Sequence, residues 1–291
     1  GVMDGGQGSD TLSYAPWKTS VKVDLSLVTP TATNITGSFM VENLTGGSAD
    51  DILTGDIHAN ILTGGAGKDT LTGNAGSDTY RYENGWGVDN PIVELAGAGL
   101  ADMLDFSAVT TGLTITLTSA GIQVANGTNS VVYNGTAIEN ITGGSAADTF
   151  TFKAGATLLG TIDGRGGNDT LNFSAYGTAL NFILTGLGSL DGLNGTGGMV
   201  LVMFANINVL AGGSAKDTLT GMNTVSQYTV SATQLLYREV ASARVLTVDS
   251  FENLIGGSAN DIFAMTGSAK ITGSIDGGAG TDTLDYSAYS E

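Results

Sequence analysis

The chain has 291 residues, 45 of them glycine, 3 proline and none cysteine, with 28 acidic against 10 basic side chains and a formal charge of -18. An acidic surface repels phosphate, which argues against nucleic acid and anionic membrane as partners without a bridging cation. The missing cysteine excludes disulfides, thiolate nucleophiles and thiolate metal sites, and no apolar run reaches the roughly 20 residues that span a bilayer.

In chain order, the first recognisable motif is VMDGGQGSDTLSYA from Val2. Because the chain opens inside it at Gly1, it reads as a mature piece or a segment excised from something longer. Val21, Val23, Leu25 and Leu27 then alternate with Lys22, Asp24 and Ser26, the period of a strand with one buried face. A second motif, VENLTGGSADDIL, follows from Val41. From Gly46 four nine-residue units run in tandem: GGSADDILT, GDIHANILT, GGAGKDTLT and GNAGSDTYR, starting at 46, 55, 64 and 73. Their sixth positions are Asp51, Asn60, Asp69 and Asp78, and their eighth are Leu53, Leu62, Leu71 and Tyr80.

Beyond the tandem block the two motifs recur singly. The first returns as a worn ELAGAGLADMLDFSA from Glu94, as IDGRGGNDTLNFSAY from Ile162, and most clearly as IDGGAGTDTLDYSAY from Ile275. The second returns as IENITGGSAADTF from Ile138, INVLAGGSAKDTL from Ile207 and FENLIGGSANDIF from Phe251. Between them Leu113, Ile115 and Leu117 alternate with threonines as a strand would. Met199–Leu210, the longest apolar stretch, is interrupted by Asn206 and Asn208. Helical signals are nearly absent, and Ser231–Val245 is the single stretch that suggests one.

The shared pattern is G-G-x-G-x-D-x-apolar-x, and it has a direct physical reading. Glycines allow positive φ in a tight turn. The three residues after Asp form a short strand with its apolar side chain inward. One unit buries too little alone, so neighbours must stack and share a core. Stacking sets Asp over Asp along one edge, and carboxylates with freed carbonyl oxygens are what Ca²⁺ prefers as ligands. Without a cation, the same row of charges would repel.

These residues resemble the RTX, or haemolysin-type, calcium-binding nonapeptide repeats of secreted bacterial proteins. The resemblance implies an all-β, right-handed parallel β-solenoid, or β-roll, with calcium-binding turns. It also implies that alternate turns lie on opposite sides, and that each Ca²⁺ sits between loops two units apart, held by Asp carboxylates and backbone carbonyls. The expected organisation is one elongated solenoid over residues 1–291, with the regular block at 46–81 and further paired loops at 138–176 and 251–289. Pro16–Phe39, Thr110–Tyr133 and Thr220–Asp249 depart from the repeat and read as wider coils or insertions.

Spacing sharpens the expected calcium sites. Tandem loops two units apart differ by 18 residues, and the loops at Gly143 and Gly164, like those at Gly256 and Gly277, differ by 21. The pairs are then Asp51 (loop from Gly46) with Asp69 (from Gly64), Asp148 (from Gly143) with Asp169 (from Gly164), and Asp261 (from Gly256) with Asp282 (from Gly277). Asp78, in the loop from Gly73, faces Asn60 and should make a weaker site. The loop ending at Asp102, with Leu100 at a position otherwise small, is a half-site at best. Asp10 would want a partner before Gly1, so it reads as a severed half-site. Asp217 finds no glycine-rich mate near residue 233.

The remaining chemistry is thin. His58 has no second histidine to join and reads as a surface turn residue. Tyr14, Phe106, Phe173 and Tyr286, recurring at one motif position, read as core, although a row of them could also stack on sugars. Glu42, Glu139 and Glu252, each before Asn in the second motif, read as a solvated strand face. The glycine-rich loops lack the lysine–serine pair and following helix of a phosphate cradle. The function expected is a non-catalytic, calcium-binding structural segment of a secreted or cell-surface bacterial protein, exported by type I secretion and folding on Ca²⁺. The alternatives are an adhesin module for surface polysaccharide or other copies of the solenoid, and the repeat region of an exported enzyme whose catalytic domain lies elsewhere.

Overall fold

The computed structural model describes residues 2–95 and 101–290, and every regular element among them is a β-strand. The chain divides into two compact units: residues 1–116 with 120–145, and residues 117–119 with 146–291.

In the first unit the tandem block alternates between two parallel sheets. Ile52–Thr54 pairs with Thr70–Asn74, while Ile61–Thr63 pairs with Thr79–Arg81, each across 18 residues. The nine-residue period causes this directly, since one unit supplies a loop and a strand to one side and the next unit supplies the other. Eighth-position side chains fall in register: Leu53 on Leu71 in one sheet, and Leu44, Leu62, Tyr80 and Leu104 in the other. All are fully buried. The core is therefore two ladders of apolar side chains meeting between the sheets, which no single unit could bury.

The second unit follows the same plan with larger coils. Thr149–Phe152, Thr170–Asn172 and Val209–Ala211 pair in parallel on one sheet. Thr218–Thr220, Asn253–Ile255 and Ile275–Asp276 do so on the other. Two antiparallel meanders interrupt the winding: Asn181–Leu187 with Leu193–Thr196 and Leu201–Ile207, and Ser226–Val230 with Leu235–Glu239 and Val245–Asp249. Each has three strands. An odd number returns the chain to its original direction, so the flanking coils still pair in parallel.

Several expectations need correction here. The helix suggested at Ser231–Val245 is instead the middle of the second meander, where Leu235, Tyr237 and Glu239 are buried on one face. The pull of the sheet ladder outweighs the helix-forming Leu, Arg and Ala residues, as tertiary context does for weak propensities. Tyr14, Phe106 and Phe173 are core, but Tyr286 is 53% exposed. Its strand, Thr283–Tyr289, pairs only with Ile262–Gly267 among the described residues, so one flank lacks a covering coil. His58 is an exposed turn residue, its backbone N–H donating to Asp56 Oδ1 at 2.8 Å.

Candidate metal centre

The sixth-position side chains form a ladder up the loop edges. In each loop the Asp carboxylate folds back over the α-carbon of the first glycine, where a Cβ would strike it; this holds for Gly46, Gly64, Gly73, Gly164, Gly256 and Gly277. Its Oδ1 accepts the backbone N–H of the corresponding residue one coil earlier. Asp51 N–H reaches Asp69 at 2.8 Å, Asn60 reaches Asp78 at 2.7 Å, Asp148 reaches Asp169 at 2.8 Å and Asp261 reaches Asp282 at 2.9 Å. Gly143 lies directly after Asn140–Thr142, at the start of the loop leading to Asp148.

Two loop types emerge that the sequence pattern treats as one. In the loops at Gly46, Gly55, Gly212 and Gly256, the second residue's N–H caps the loop's own sixth side chain. Gly47 donates to Asp51 at 2.6 Å, Asp56 to Asn60 at 2.8 Å, Gly213 to Asp217 at 2.5 Å and Gly257 to Asp261 at 2.7 Å. In the loops at Gly5, Gly64, Gly73, Gly164 and Gly277, the second and fourth residues have positive φ. That turns the second N–H away. Asp10, Asp69, Asp78 and Asp169 consequently keep a buried Oδ2 with no hydrogen-bond partner. Glycine at the first position thus serves close approach, and of these two loop types the open one has left-handed backbone at its second and fourth residues.

Gly65 tests the distinction. Its φ is +96°, and a Cβ would collide with the Gly47 carbonyl of the neighbouring coil, whereas Gly85 (φ +81°) has open space around it. Gly85→Ala is expected to cost about the 1–2 kcal/mol of a left-handed non-glycine residue, and Gly65→Ala clearly more. Urea unfolding in excess Ca²⁺ reads both, and equal losses would contradict the close approach of Gly65 to the Gly47 carbonyl.

Burial governs the electrostatics. Asp51, Asp69, Asp78, Asp148, Asp169, Asp217 and Asp261 are all at most 1% exposed. The ion pairs of Arg81 with Asp105 and His58 with Asp56 involve none of these seven carboxylates. Burial pushes the Asp69 and Asp78 carboxyls up to about 6, with the charges of Asp51 and Asp102 respectively adding to it. Asp169 rises to about 8 through burial and then the charges of Asp148, Asp191 and Asp163. A buried carboxylate without a partner must take up a proton or a cation. Backbone carbonyls lie alongside: Gly64 O faces the Gly46 α-carbon beside Asp51 Oδ2, and Asn206 O faces that of Gly164 beside Asp169 Oδ2. This all-oxygen donor set suits a hard cation such as Ca²⁺.

The ladder contains residues the sequence pattern left out. Glu42 Oε2 accepts the N–H of Asp10 at 2.8 Å, Glu139 Oε2 that of Asp102 at 2.9 Å, and Glu252 Oε2 that of Asp217 at 2.8 Å. These glutamates are rungs of the ladder and not a solvated strand face; the longer side chain reaches across where the loop above is not a glycine turn. Asn208, at the same motif position, caps Asp169 N–H at 3.0 Å. Asp10 therefore finds its neighbour downstream at Glu42, and Asp217 lies between Leu180, whose N–H it accepts, and Glu252. Of the Asp102 loop, Asp102 accepts Asp78 N–H at 2.7 Å, while Leu100 lies outside the described residues.

A further loop also went unread. Gly85 and Gly87 have positive φ like the second and fourth residues of an open loop, and Asp89 accepts Asp69 N–H at 3.2 Å. Asp89 is 1% exposed, its Oδ2 is unpartnered, and burial followed by the charge of Asp69 pushes it up to about 8. Gly-x-Gly-x-Asp was there to be seen in Gly85-Trp86-Gly87-Val88-Asp89, but Asn84 replaces the leading glycine and Trp86 a small turn residue.

Comparison with known proteins agrees with this geometry. The family model of the RTX calcium-binding nonapeptide repeat matches in four copies, at residues 37–67, 45–80, 161–175 and 274–288. No curated protein matches the chain. No helix among the described residues is long and apolar enough to cross a membrane. The four matched segments are RTX calcium-binding nonapeptide repeats, a calcium-binding repeat typical of secreted bacterial proteins.

Proposed function

We propose that stacked loops hold Ca²⁺ between them and that the chain folds when they fill, acting as a non-catalytic structural segment of an exported or surface protein. The observation that carries this reading is the set of buried, unpartnered Oδ2 atoms on Asp69, Asp78 and Asp169. The residues assigned to calcium are Asp51 with Asp69, Asp148 with Asp169 and Asp261 with Asp282, with Asp89 continuing the first series. Beside them stand the carbonyls that overhang the first glycines. Three filled pairs would offset a third of the -18 formal charge. Where Ca²⁺ is scarce the ladder repels itself and the chain can pass an export channel unfolded; outside the cell it folds.

Far-UV circular dichroism during a Ca²⁺ titration of EDTA-stripped protein tests this, with Mg²⁺ as the control ion. A cooperative rise in β signal is expected with Ca²⁺ alone, at a midpoint of about 10⁻⁴ to 10⁻³ M as for other extracellular calcium modules. A full β spectrum in EDTA, with no thermal shift on adding Ca²⁺, would reduce the loops to plain turns and end the reading.

A further inference from the structure

At several loops the oxygen that overhangs the first glycine from the next coil is a neutral backbone carbonyl. Gly64 O overhangs Gly46, Gly73 O overhangs Gly55 and Gly277 O overhangs Gly256. Gly73 is different. There the overhanging atom is Glu94 Oε1, sharing the space beside the Gly73 α-carbon with Asp78 Oδ2 and the Tyr80 hydroxyl. Glu94 ends Val88–Glu94, a strand of the sheet opposite the one that Asp78 and Asp102 lead into.

Carboxylate oxygens of Asp78, Glu94 and Asp102 all lie within 4.8 Å of one another. Asp78 is 0% exposed, and its Oδ2, which faces this space, has no hydrogen-bond partner. Four of the other five oxygens are oriented by donors: Asp78 Oδ1 by Asn60 N–H, Asp102 Oδ1 by Asp78 N–H, Glu94 Oε1 by Tyr80 O–H at 2.8 Å and Glu94 Oε2 by Leu95 N–H at 3.0 Å. Tyr80 is itself fixed by Gly73 N–H at 2.8 Å. Neither ion pair of the described residues involves any of the three carboxylates.

We infer that Asp78, Glu94 and Asp102 hold one Ca²⁺ in a three-carboxylate site, with Glu94 standing where the repeat otherwise offers a neutral carbonyl. The inference rests on the calcium reading of the loops and adds a ligand from outside any repeat. A higher ligand charge raises affinity for Ca²⁺, so this site fills before the two-carboxylate pairs. It makes the loop at Gly73 a strong site through its downstream neighbour, although the Asn60 side of the same loop is poor in charge.

Equilibrium dialysis and calorimetric titration of the whole chain would count the ions. Glu94→Gln leaves Asp78 and Asp102 with a neutral oxygen, the complement of an ordinary pair, so one Ca²⁺ is expected to leave the tightest class and bind with the weaker, two-carboxylate class. Its β spectrum at saturating Ca²⁺ should be unchanged, since glutamine can still accept from Tyr80. Equal stoichiometry and affinity in the two proteins would overturn the inference and leave the paired-loop sites standing. A wild type that binds no Ca²⁺ would overturn both. Should the variant fail to fold, wild-type crystals grown with Tb³⁺ decide: an anomalous peak among the three carboxylates supports the site, and peaks at the paired loops with none there sinks it.

Discussion

Stripped of calcium, the protein is expected to gain β structure on acidification from pH 8 to about pH 5. The native fold pushes Asp89, Glu94 and Asp169 up to about 8, and Asp69 and Asp78 up to about 6, chiefly by burial. In the unfolded chain these groups titrate at ordinary carboxyl values. Between the two ranges the native state binds more protons, so stability falls as pH rises, and the penalty is complete once the folded values are passed. Below the ordinary range the sign changes. Asp105 is buried, yet hydrogen bonds from Ser107 and Arg81 outweigh that burial and hold its carboxyl low. It therefore contributes stability that is lost as pH drops through that lowered value. The calcium-free optimum should consequently sit in mild acid. Saturating Ca²⁺ should flatten the profile above it, because the cation replaces the protons. Circular dichroism and thermal melts of dialysed protein at a series of pH values give the answer. A calcium-free stability that is flat or rises toward pH 8 would contradict the buried, unneutralised ladder.

How far the sequence could be read depended on whether the chain wrote its period in residues. In the tandem block it did: glycine at every first position and an apolar residue at every eighth place Leu53 on Leu71 and Leu62 on Tyr80, as the register shows. The 21-residue spacings likewise bring Asp148 to Asp169 and Asp261 to Asp282. Spacing failed wherever a hairpin or meander entered a coil. Asp10 meets Glu42 across 32 residues and Asp217 meets Glu252 across 35, distances set by inserted strands with no period of their own. The glutamate rungs were visible as a recurrence but not as a role, because their partner is a backbone N–H one coil away. The distinction between capped and open loops was hidden as well. It depends on the sign of φ at the second residue, which can be glycine in both types and is Asn74 or Arg165 in two open loops.

Asp169→Asn is expected to act with opposite sign in the absence and presence of calcium. Asp169 is 0% exposed; its Oδ1 accepts Asp148 N–H, and its Oδ2 meets no donor. Asparagine keeps the acceptor and turns the orphaned oxygen into a donor facing the carbonyl of Asn206, which overhangs Gly164. A buried asparagine at the sixth position is already tolerated in a capped loop. Asn60 accepts Asp56 N–H at 2.8 Å and donates through Nδ2 to the Glu42 carbonyl at 2.7 Å, so both ends of the amide are satisfied. Without calcium the substitution removes an unsatisfied buried group, a defect that typically costs about 1–3 kcal/mol. The variant should then fold at a lower osmolyte concentration than wild type in EDTA, osmolytes being a neutral way to favour the compact state. With calcium it forfeits a carboxylate ligand, and losing one site held at about 100 times its dissociation constant removes about 2.7 kcal/mol. Its thermal midpoint should therefore drop below that of wild type. Asp249→Asn, at an exposed strand end, makes the same change in net charge and should show neither effect. If Asp169→Asn moved stability in one direction under both conditions, Asp169 would be a turn-closing side chain, and the calcium assignment of its loop would fall with it.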